Sequence, residues 1–262
     1  MRFLHPEDYN KEITYDDVFL VPNYSEVASR MDVDLTPTDP VGTTIPIVVC
    51  NMTAMAGKRM AETVARRGGL VILPQDISME RLRIIIPYIK ACHPVFETPV
   101  ILEESKSIQQ ALNLINKRSH GAVMVVDEQK KPVGIFTEKD AYRRDRFLQV
   151  RDVMSKELLT MQDTASPQQI FEAIKEKRVP VIPIIKNTGE LAGVLTAKGC
   201  MRATIYTPAQ NAQRQLLTAV AVGVNAQTKD KVRKLVELGV DVIVLDMAHG
   251  YQKKMIETIK GV

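Results

Sequence analysis

The chain has 262 residues, of which 45% are hydrophobic and 25% charged, with a formal net charge of +4 at pH 7. This balance is typical of a folded globular protein with one large domain or two ordinary ones, and it excludes a disordered or collagen-like chain. The mild positive charge suits an anionic small ligand. Aromatic residues are only 5% and Trp is absent, so we expect no base-stacking surface and no specific nucleic-acid partner.

The sequence also gives expectations about the cellular compartment and about the role of the cysteines. No apolar run reaches the roughly 18 residues that a membrane span needs. The N-terminus is polar and has no apolar core of a secretory signal. Three cysteines (Cys50, Cys92 and Cys200) lack the C-x-x-C spacing of a zinc site and do not form a disulfide framework. We therefore expect a cytoplasmic protein without a membrane segment or a metal site.

Residues 45–91 alternate between predicted strands and helices. Ile45–Met52 is a continuous apolar run, typical of a strand that is buried on both faces. Lys58–Gly69 has helical spacing of apolar residues and ends at a glycine pair, and Leu70–Pro74 is a second apolar strand. Ser78 is a natural N-cap for the helix that follows. The order β-α-β-α predicts a parallel sheet.

A repeat follows. Two segments that start at Ser107 and Ser166 match without a gap over 37 residues, with eight identical positions. Each copy predicts helix, strand, turn, strand and helix, and the apolar patterns agree. A duplication of this size predicts two similar modules that pack together.

The first pattern returns near Leu216. Thr218–Val224 and Val240–Asp246 are predicted strands, Lys229–Gly239 is a predicted helix, and a last helix runs to the end of the chain. Four βα units thus flank a duplicated insert, and the first 44 residues are predicted to be irregular. The predicted domains are an N-terminal part over residues 1–94, two modules over about 95–150 and 151–206, and a continuation over 207–262.

Three motifs together resemble the IMP dehydrogenase/GMP reductase family: ITYDDVFLVP near the N-terminus, the strand and turn IPIVVCNM, and VDVIVLDMAHG. The resemblance implies an α/β fold, a partial TIM (β/α)8 barrel with an inserted tandem pair of CBS domains (the cystathionine-β-synthase type). The stretch from Gly42 to Asp76 is most similar to the CBS-containing branch linked with GMP reductase. Cys50-Asn51-Met52-Thr53 stands where the usual dehydrogenase has an S-x-M-D turn.

The resemblance implies a purine-nucleotide oxidoreductase. Its GMP reductase form converts GMP to IMP and ammonia with NADPH, and the alternative is an IMP dehydrogenase that converts IMP to XMP with NAD. It also implies a homo-oligomer and a monovalent cation in the full-length enzyme. A whole barrel has eight βα units, and the family's nucleophilic cysteine lies in the second half. We therefore expect a truncated copy of a longer chain, inactive alone, with a true half-barrel as the alternative.

The resemblance implies two sets of ligand-binding residues in the barrel. Asp246, with Met247 and Ala248, is implied to meet the nicotinamide ribose, whereas a carboxylate at a strand end also caps helices. Cys50, Asn51 and Met52 are implied to contact the purine nucleotide. The Asn51 amide offers a donor and an acceptor, and Met52 an adaptable apolar surface. A buried core position is the alternative for the cysteine and the methionine.

A third set of candidate ligand-binding residues lies in the repeat. GIFTEKD, from Gly134 to Asp140, matches the family pattern G-x-x-T-x-x-D, which implies that Ile135, Thr137 and Asp140 bind ATP, GTP or AMP. In the second copy Thr196 remains and Gly199 replaces the aspartate. The alternative is a capping box, because [ST]-x-x-[DE] also caps helices. A non-catalytic nucleotide-binding regulatory module is thus the second functional hypothesis.

Overall fold

The computed structural model describes residues 5–262, which form two compact units that divide at Asp34 and Leu35. The first unit has three 3-10 turns, Pro6–Asn10, Tyr15–Asp17 and Arg30–Asp32, and no strand among its described residues. The irregular structure expected for this part of the chain is therefore observed. Phe19 and Leu20 are exposed within this unit.

The second unit, Leu35–Val262, contains all ten strands and seven α-helices of the described residues. The strands are β1 (Val48–Val49), β2 (Leu70–Leu73), β3 (Ile101–Glu103), β4 (Ala122–Val126), β5 (Pro132–Thr137), β6 (Met161–Gln162), β7 (Val181–Ile185), β8 (Leu191–Thr196), β9 (Ala219–Gly223) and β10 (Val242–Asp246). The helices are α1 (Lys58–Ala65), α2 (Met79–Ala91), α3 (Ile108–Ile115), α4 (Pro167–Lys177), α5 (Ala197–Ile205), α6 (Thr228–Glu237) and α7 (Lys253–Gly261).

The largest sheet has the order β1-β2-β9-β10, and all its strands are parallel. Ile72 of β2 pairs with Ala219 of β9, so the chain returns to the same sheet after the insert. The predicted α/β architecture with a parallel sheet is confirmed. As predicted, Ser78 caps α2 by accepting a hydrogen bond from the Arg81 amide at 3.4 Å.

The main core lies between the four-stranded sheet and the helices that pack against it. Buried residues of α1, α2 and α6 pack against β2 and β9, among them Ala65, Ile86, Val220, Val222 and Leu235. Burying one such aliphatic side chain contributes roughly 1.5–3 kcal/mol, so this layer anchors the parallel sheet.

The prediction of a continuous strand over Ile45–Met52, buried on both faces, is wrong. Only Val48 and Val49 pair with β2, and the side chains of Ile47 and Val48 are 54% and 56% exposed. β10 is likewise half-buried along its length rather than buried. The physical reason is position, since β1 and β10 are the two edge strands of this sheet.

The insert contains two three-stranded sheets, β3-β4-β5 and β6-β7-β8. The strands of the two copies correspond at the offset of the sequence repeat, and both antiparallel pairs carry a register irregularity at matching positions, Val125/Val126 and Ile184/Ile185. The predicted last helix of the first copy is wrong, because only the 3-10 turn Glu138–Ala141 forms there. The corresponding α5 of the second copy is a helix of nine residues.

Within residues 5–262, no helix is both long enough and apolar enough to cross a bilayer.

Candidate functional site

The candidate site lies at the carboxyl edge of the four-stranded sheet. Because the strands are parallel, the segments that follow them meet at one edge, which is where open α/β sheets bind ligands. Asn51 follows β1, Asp76 follows β2, Asn225 follows β9, and Asp246 ends β10. We call the set Asn51, Asp76 and Asp246, with the residues that contact them, the carboxyl-edge cluster.

Asn51 and Asp246 are in direct contact. The Asn51 Nδ2 atom donates a hydrogen bond to Asp246 Oδ2 at 2.7 Å. Their strands lie at opposite edges of the sheet, three strand spacings apart, or about 14 Å in a flat sheet. The contact therefore requires the sheet and its loops to curve inward at this end. It joins the residue predicted to bind the purine to the residue predicted to bind the cofactor.

A second contact in the carboxyl-edge cluster was missed by the sequence analysis. Thr53 Oγ1 donates to Asp76 Oδ2 at 3.2 Å, and Lys231 Nζ donates to the Gln75 carbonyl oxygen at 2.9 Å. Burial lowers the pKa of Lys231, while the nearby Asp76 carboxylate opposes this shift. The only sequence signal for this contact is that Asp76 lies two residues after the predicted strand Leu70–Pro74.

Gly223 provides a close approach at the same edge. A Cβ atom there would lie 2.5 Å from the Gln75 Oε1 atom, which is too close for an unchanged structure. A glycine at the end of β9 thus leaves space for the side chain that follows β2.

The residues with predicted ligand contacts are accessible. Cys50 is exposed and Met52 is 57% exposed, so neither occupies a buried core position within residues 5–262. Met247 is half-buried and Ala248 is exposed. A half-buried carboxylate beside an exposed loop fits hydrogen bonding to a ribose diol, so the residues present are compatible with the nicotinamide cofactor.

The other two cysteines are unsuited to nucleophilic chemistry. Burial, together with the Glu62 carboxylate, raises the pKa of the Cys92 thiol to about 11. Burial also raises the pKa of Cys200 to about 11. Because the thiolate is the nucleophile, both thiols are protonated and unreactive at neutral pH.

The predicted nucleotide residues of the insert occupy matching places in the two copies. Asp140 Oδ2 accepts hydrogen bonds from the Thr137 amide at 2.7 Å and the Thr137 hydroxyl at 2.9 Å. Thr196 Oγ1 accepts from the Gly199 amide at 3.0 Å. These are the capping contacts considered as the alternative reading, and they hold both threonines at strand ends. Ile135 lies on β5 and its amide donates to the Ser155 carbonyl oxygen.

Comparison with known proteins identifies the class. The model of the "IMP dehydrogenase / GMP reductase domain" family matches residues 12–262. The chain belongs to the IMP dehydrogenase/GMP reductase family, as its three motifs predict. The match includes both halves of the parallel sheet and the carboxyl-edge cluster.

Two curated relatives of this family are similar to the chain over almost all of its length. The chain is 47% identical over 264 residues to a GMP reductase of Mycobacterium tuberculosis (strain ATCC 25618 / H37Rv), which covers 100% of this chain and 54% of the relative. It is 34% identical over 260 residues to an inosine-5'-monophosphate dehydrogenase of Halalkalibacterium halodurans, covering 97% and 54%. The chain thus spans about half the length of the curated relatives that it matches.

A solved structure gives the same family. GMP reductase from Trypanosoma brucei in complex with guanosine 5'-triphosphate matches with a TM-score of 0.63 and 27% identity, covering 97% of this chain and 64% of that chain. The C318A form of that protein in complex with guanosine 5'-monophosphate matches with the same TM-score, covering 98% and 57%.

Proposed function

We propose that this chain forms part of a GMP reductase, which converts GMP to IMP and ammonia with NADPH. The observation that carries the proposal is the hydrogen bond from Asn51 to Asp246, which unites two predicted ligand-binding residues at the carboxyl edge. The 47% identity to a GMP reductase supports this direction of the reaction.

Different residues of the site bind the two ligands. The exposed Cys50 and Met52, with Asn51 between them, contact the purine nucleotide. Asp246 accepts hydrogen bonds from the cofactor ribose, flanked by Met247 and Ala248. The nicotinamide cofactor supplies the hydride when it is bound. Asn51 orients the Asp246 carboxylate, because its amide donates to one of the two carboxylate oxygens.

The four-stranded sheet is proposed to be part of an eight-stranded barrel. Its edge strands β1 and β10 are open in the described residues, and a closed barrel pairs such edges with further strands. Open apolar edges recruit other chains. We therefore expect the 262-residue chain to dimerise or aggregate, as measured by light scattering. A monodisperse monomer of 29.3 kDa at micromolar concentration contradicts the barrel proposal.

The two modules are proposed to be a CBS pair that binds ATP, GTP or AMP and regulates the enzyme. Their matching strand registers support the pair. Thr137 and Asp140 lie together at the end of β5, where a ribose would meet the carboxylate and the hydroxyl. Thr196 is the counterpart in the second copy. The proposed boundaries are about 95–150 and 151–206.

An IMP dehydrogenase that uses NAD is the second candidate, supported by relatives such as the one from Halalkalibacterium halodurans. The test is an assay of the protein that carries this chain, with GMP and NADPH in one arm and IMP and NAD in the other. We expect NADPH oxidation that requires GMP. IMP-dependent NAD reduction alone favours the second candidate, and turnover in neither arm favours the regulatory module.

Variants connect the assay to the site. Asp246→Ala is expected to raise the KM for the cofactor and Asn51→Ala that for GMP, each by tenfold or more. Asp230→Ala, an exposed carboxylate on α6, is the matched control and should leave both unchanged. The 262-residue chain alone is expected to turn over neither nucleotide, because Cys92 and Cys200 are unreactive and Cys50 lacks the family's loop context.

A further inference from the structure

Lys231 holds the loop that follows β2 from the side of α6. It is the fourth residue of α6, and its Nζ atom donates to the Gln75 carbonyl oxygen at 2.9 Å. The Lys231 side chain is half-buried, and no ion pair within the described range 5–262 includes it. The Asp76 carboxylate attracts it over a longer distance. Both partners of this lysine thus belong to one loop.

A lysine at this position does not stabilise its own helix. The N-terminal end of a helix carries a partial positive charge, which disfavours a cation there. Burial also disfavours the charged form and lowers the pKa of Lys231. Since both effects oppose a charged lysine in α6, its presence is better explained by its contact with the loop after β2.

The end of β9 holds the same loop at a second point. Gln75 Oε1 lies so close to Gly223 that a Cβ atom on this glycine would be 2.5 Å from it. The Gly223 carbonyl oxygen accepts a hydrogen bond from Thr228 Oγ1 at 2.8 Å, which joins the end of β9 to the start of α6. Gln75 therefore contacts β9 with its side chain and α6 with its carbonyl oxygen, and these two contacts fix the position of the adjacent Asp76.

Asp76 in turn restrains the segment that follows β1, residues 51–56, which we call the β1 loop. Thr53 Oγ1 donates to Asp76 Oδ2 at 3.2 Å. Within residues 5–262, this bond and the one from Asn51 to Asp246 are the only side-chain hydrogen bonds that join the β1 loop to other segments. The β1 loop is thus held at two points, and one of them is Asp76.

Packing contributes little to the position of the β1 loop. Met52 is 57% exposed and Met55 is 50% exposed. A segment with few buried apolar contacts opens easily, so its conformation depends on its hydrogen bonds. Groups that are already in place lose less conformational freedom when a ligand binds. The contact of Thr53 with Asp76 therefore prepares the β1 loop for binding.

We propose that Lys231 is a positioning residue of the purine site. Through the loop after β2 it fixes Thr53, and Thr53 holds the β1 loop, which carries Asn51 and Met52. The inference rests on the proposed function, which assigns the β1 loop to the purine nucleotide. Lys231 acts through these contacts and needs none with either ligand.

The first test is steady-state kinetics with GMP and NADPH on the protein that carries this chain. Lys231→Met removes the ammonium group and keeps an apolar side chain. A loss of ground-state and transition-state binding alike raises KM, so we expect the KM for GMP to rise about fivefold with kcat and the KM for NADPH nearly unchanged. Lys231→Arg, which keeps a charged donor, should restore most of the affinity. An unchanged KM for GMP in Lys231→Met overturns the proposal.

Lys229→Met is the matched control for these measurements. Lys229 is an exposed lysine on α6, two positions before Lys231, and it makes no ion pair among the described residues. Its substitution should leave the KM for GMP unchanged. An equal rise of KM in both lysine variants would show a general effect of charge and would overturn the positioning role.

A double-mutant cycle separates the proposed route from a direct contact of Lys231 with a ligand. Thr53→Val removes the hydroxyl group that donates to Asp76. If Lys231 acts through Thr53, the combined variant Lys231→Met/Thr53→Val should raise the KM for GMP no more than the larger single effect does. Effects that multiply in the combined variant overturn the route through Thr53.

Hydrogen exchange tests the positioning role without reference to activity. The amides of Met55 and Ala56 donate to the Met52 carbonyl oxygen at 3.0 and 2.8 Å, and loosening of the β1 loop exposes them. Lys231→Met should speed exchange in a peptide that covers residues 51–56 about fivefold, whereas Lys229→Met should not. Exchange in α4 should be unchanged, which shows that the variant is folded.

The exchange result also separates this inference from the proposed function. Unchanged exchange in the β1 loop of Lys231→Met overturns the positioning role, whatever the activity. Faster exchange in a protein that has no GMP-dependent turnover before substitution would contradict the GMP reductase proposal and support the positioning role of Lys231.

Discussion

The parallel sheet and the duplicated insert are assembled from the sequence in opposite ways. Each insert sheet is built from strands that are close together in the chain, whereas β2 and β9 of the parallel sheet pair across the whole insert. The closing of such a long loop has an entropic cost, which non-local contacts must offset. The stability of the parallel sheet therefore depends on contacts at the two points where the chain enters and leaves the insert.

Glu62 is the central contact of this junction. It is buried on α1 and accepts hydrogen bonds from Arg66 at 3.0 Å, from Arg118 and from Thr98. Burial tends to raise its pKa, but Arg66 and the donors Thr98 and Arg118 together hold the pKa of Glu62 below its ordinary value. Since two of the donors follow α2, this carboxylate joins the sheet to the insert.

Among the substitutions that test this comparison, Glu62→Ala should lower the free energy of unfolding most. It leaves Arg66 and Arg118 without their carboxylate, and breaking a buried ion pair costs about 3–5 kcal/mol. We expect a loss of this order in the free energy of unfolding, as measured by urea denaturation. Glu257→Ala, which breaks an exposed pair on α7, is the control with an expected change near zero. A loss below 1 kcal/mol for Glu62→Ala would contradict the junction role.

Gly68→Ala tests the point where the chain rejoins the sheet. Gly68 has φ +90°, and an added Cβ would lie 2.8 Å from the Thr207 carbonyl oxygen and 1.9 Å from Thr44 Oγ1. The left-handed conformation costs a residue with a side chain about 1–2 kcal/mol, to which the clash adds. We expect a total loss of about 2–3 kcal/mol in thermal or urea unfolding.

Gly250→Ala is the matched control for Gly68→Ala, because a Cβ there meets no atom within 4 Å and its φ is not positive. Equal stability of the two variants would show that the contact of Gly68 with Thr207 is unimportant.

His93 makes the junction sensitive to pH. Burial, with a contribution from Arg66, lowers the pKa of His93 to about 4. Its Nδ1 atom accepts hydrogen bonds from the amides of Val95 and Phe96 at 3.1 and 3.0 Å, which requires this nitrogen to be unprotonated. The folded chain therefore resists a proton that the unfolded chain accepts below about pH 6.5.

We expect the free energy of unfolding to fall by about 1–2 kcal/mol from pH 7 to pH 5, less than the full shift implies because the ring is partly exposed. The loss should begin near pH 6.5 and level off near pH 4, where the folded state also becomes protonated. His93→Gln should flatten this part of the profile in urea titrations at several pH values. An unchanged profile would show that another group titrates.

Asp140→Ala tests the difference between the two copies of the insert. At this position the first copy has an aspartate and the second has Gly199. Asp140 accepts from Thr137, whereas Gly199 has no side chain to do so. If the pair binds nucleotide ribose, Asp140→Ala should weaken ATP binding about tenfold, or about 1.4 kcal/mol, in calorimetry. Thr196→Ala should have a smaller effect, and the reverse order would assign the tighter site to the second copy.

The sequence predicted the order of elements because the strong apolar periods are local. The register irregularities of β4–β5 and β7–β8 also lie at the repeat offset, although no feature of the sequence predicted them. Burial of β1 could not be predicted, since an edge strand has the same apolar residues as a central one. The contact of Asn51 with Asp246 depends on sheet curvature, and that of Glu62 with Arg118 depends on how the insert packs. Neither property has a local sequence signal.

The most direct test of the central claim is a crystal structure of the protein that carries this chain, with GMP and NADP⁺ bound. The account predicts a purine nucleotide at the carboxyl edge, within hydrogen-bonding distance of Asn51, and a cofactor ribose hydroxyl on Asp246. Nucleotide bound only in the insert, with the Asn51–Asp246 contact unchanged and no ligand beside it, would contradict the proposed active site.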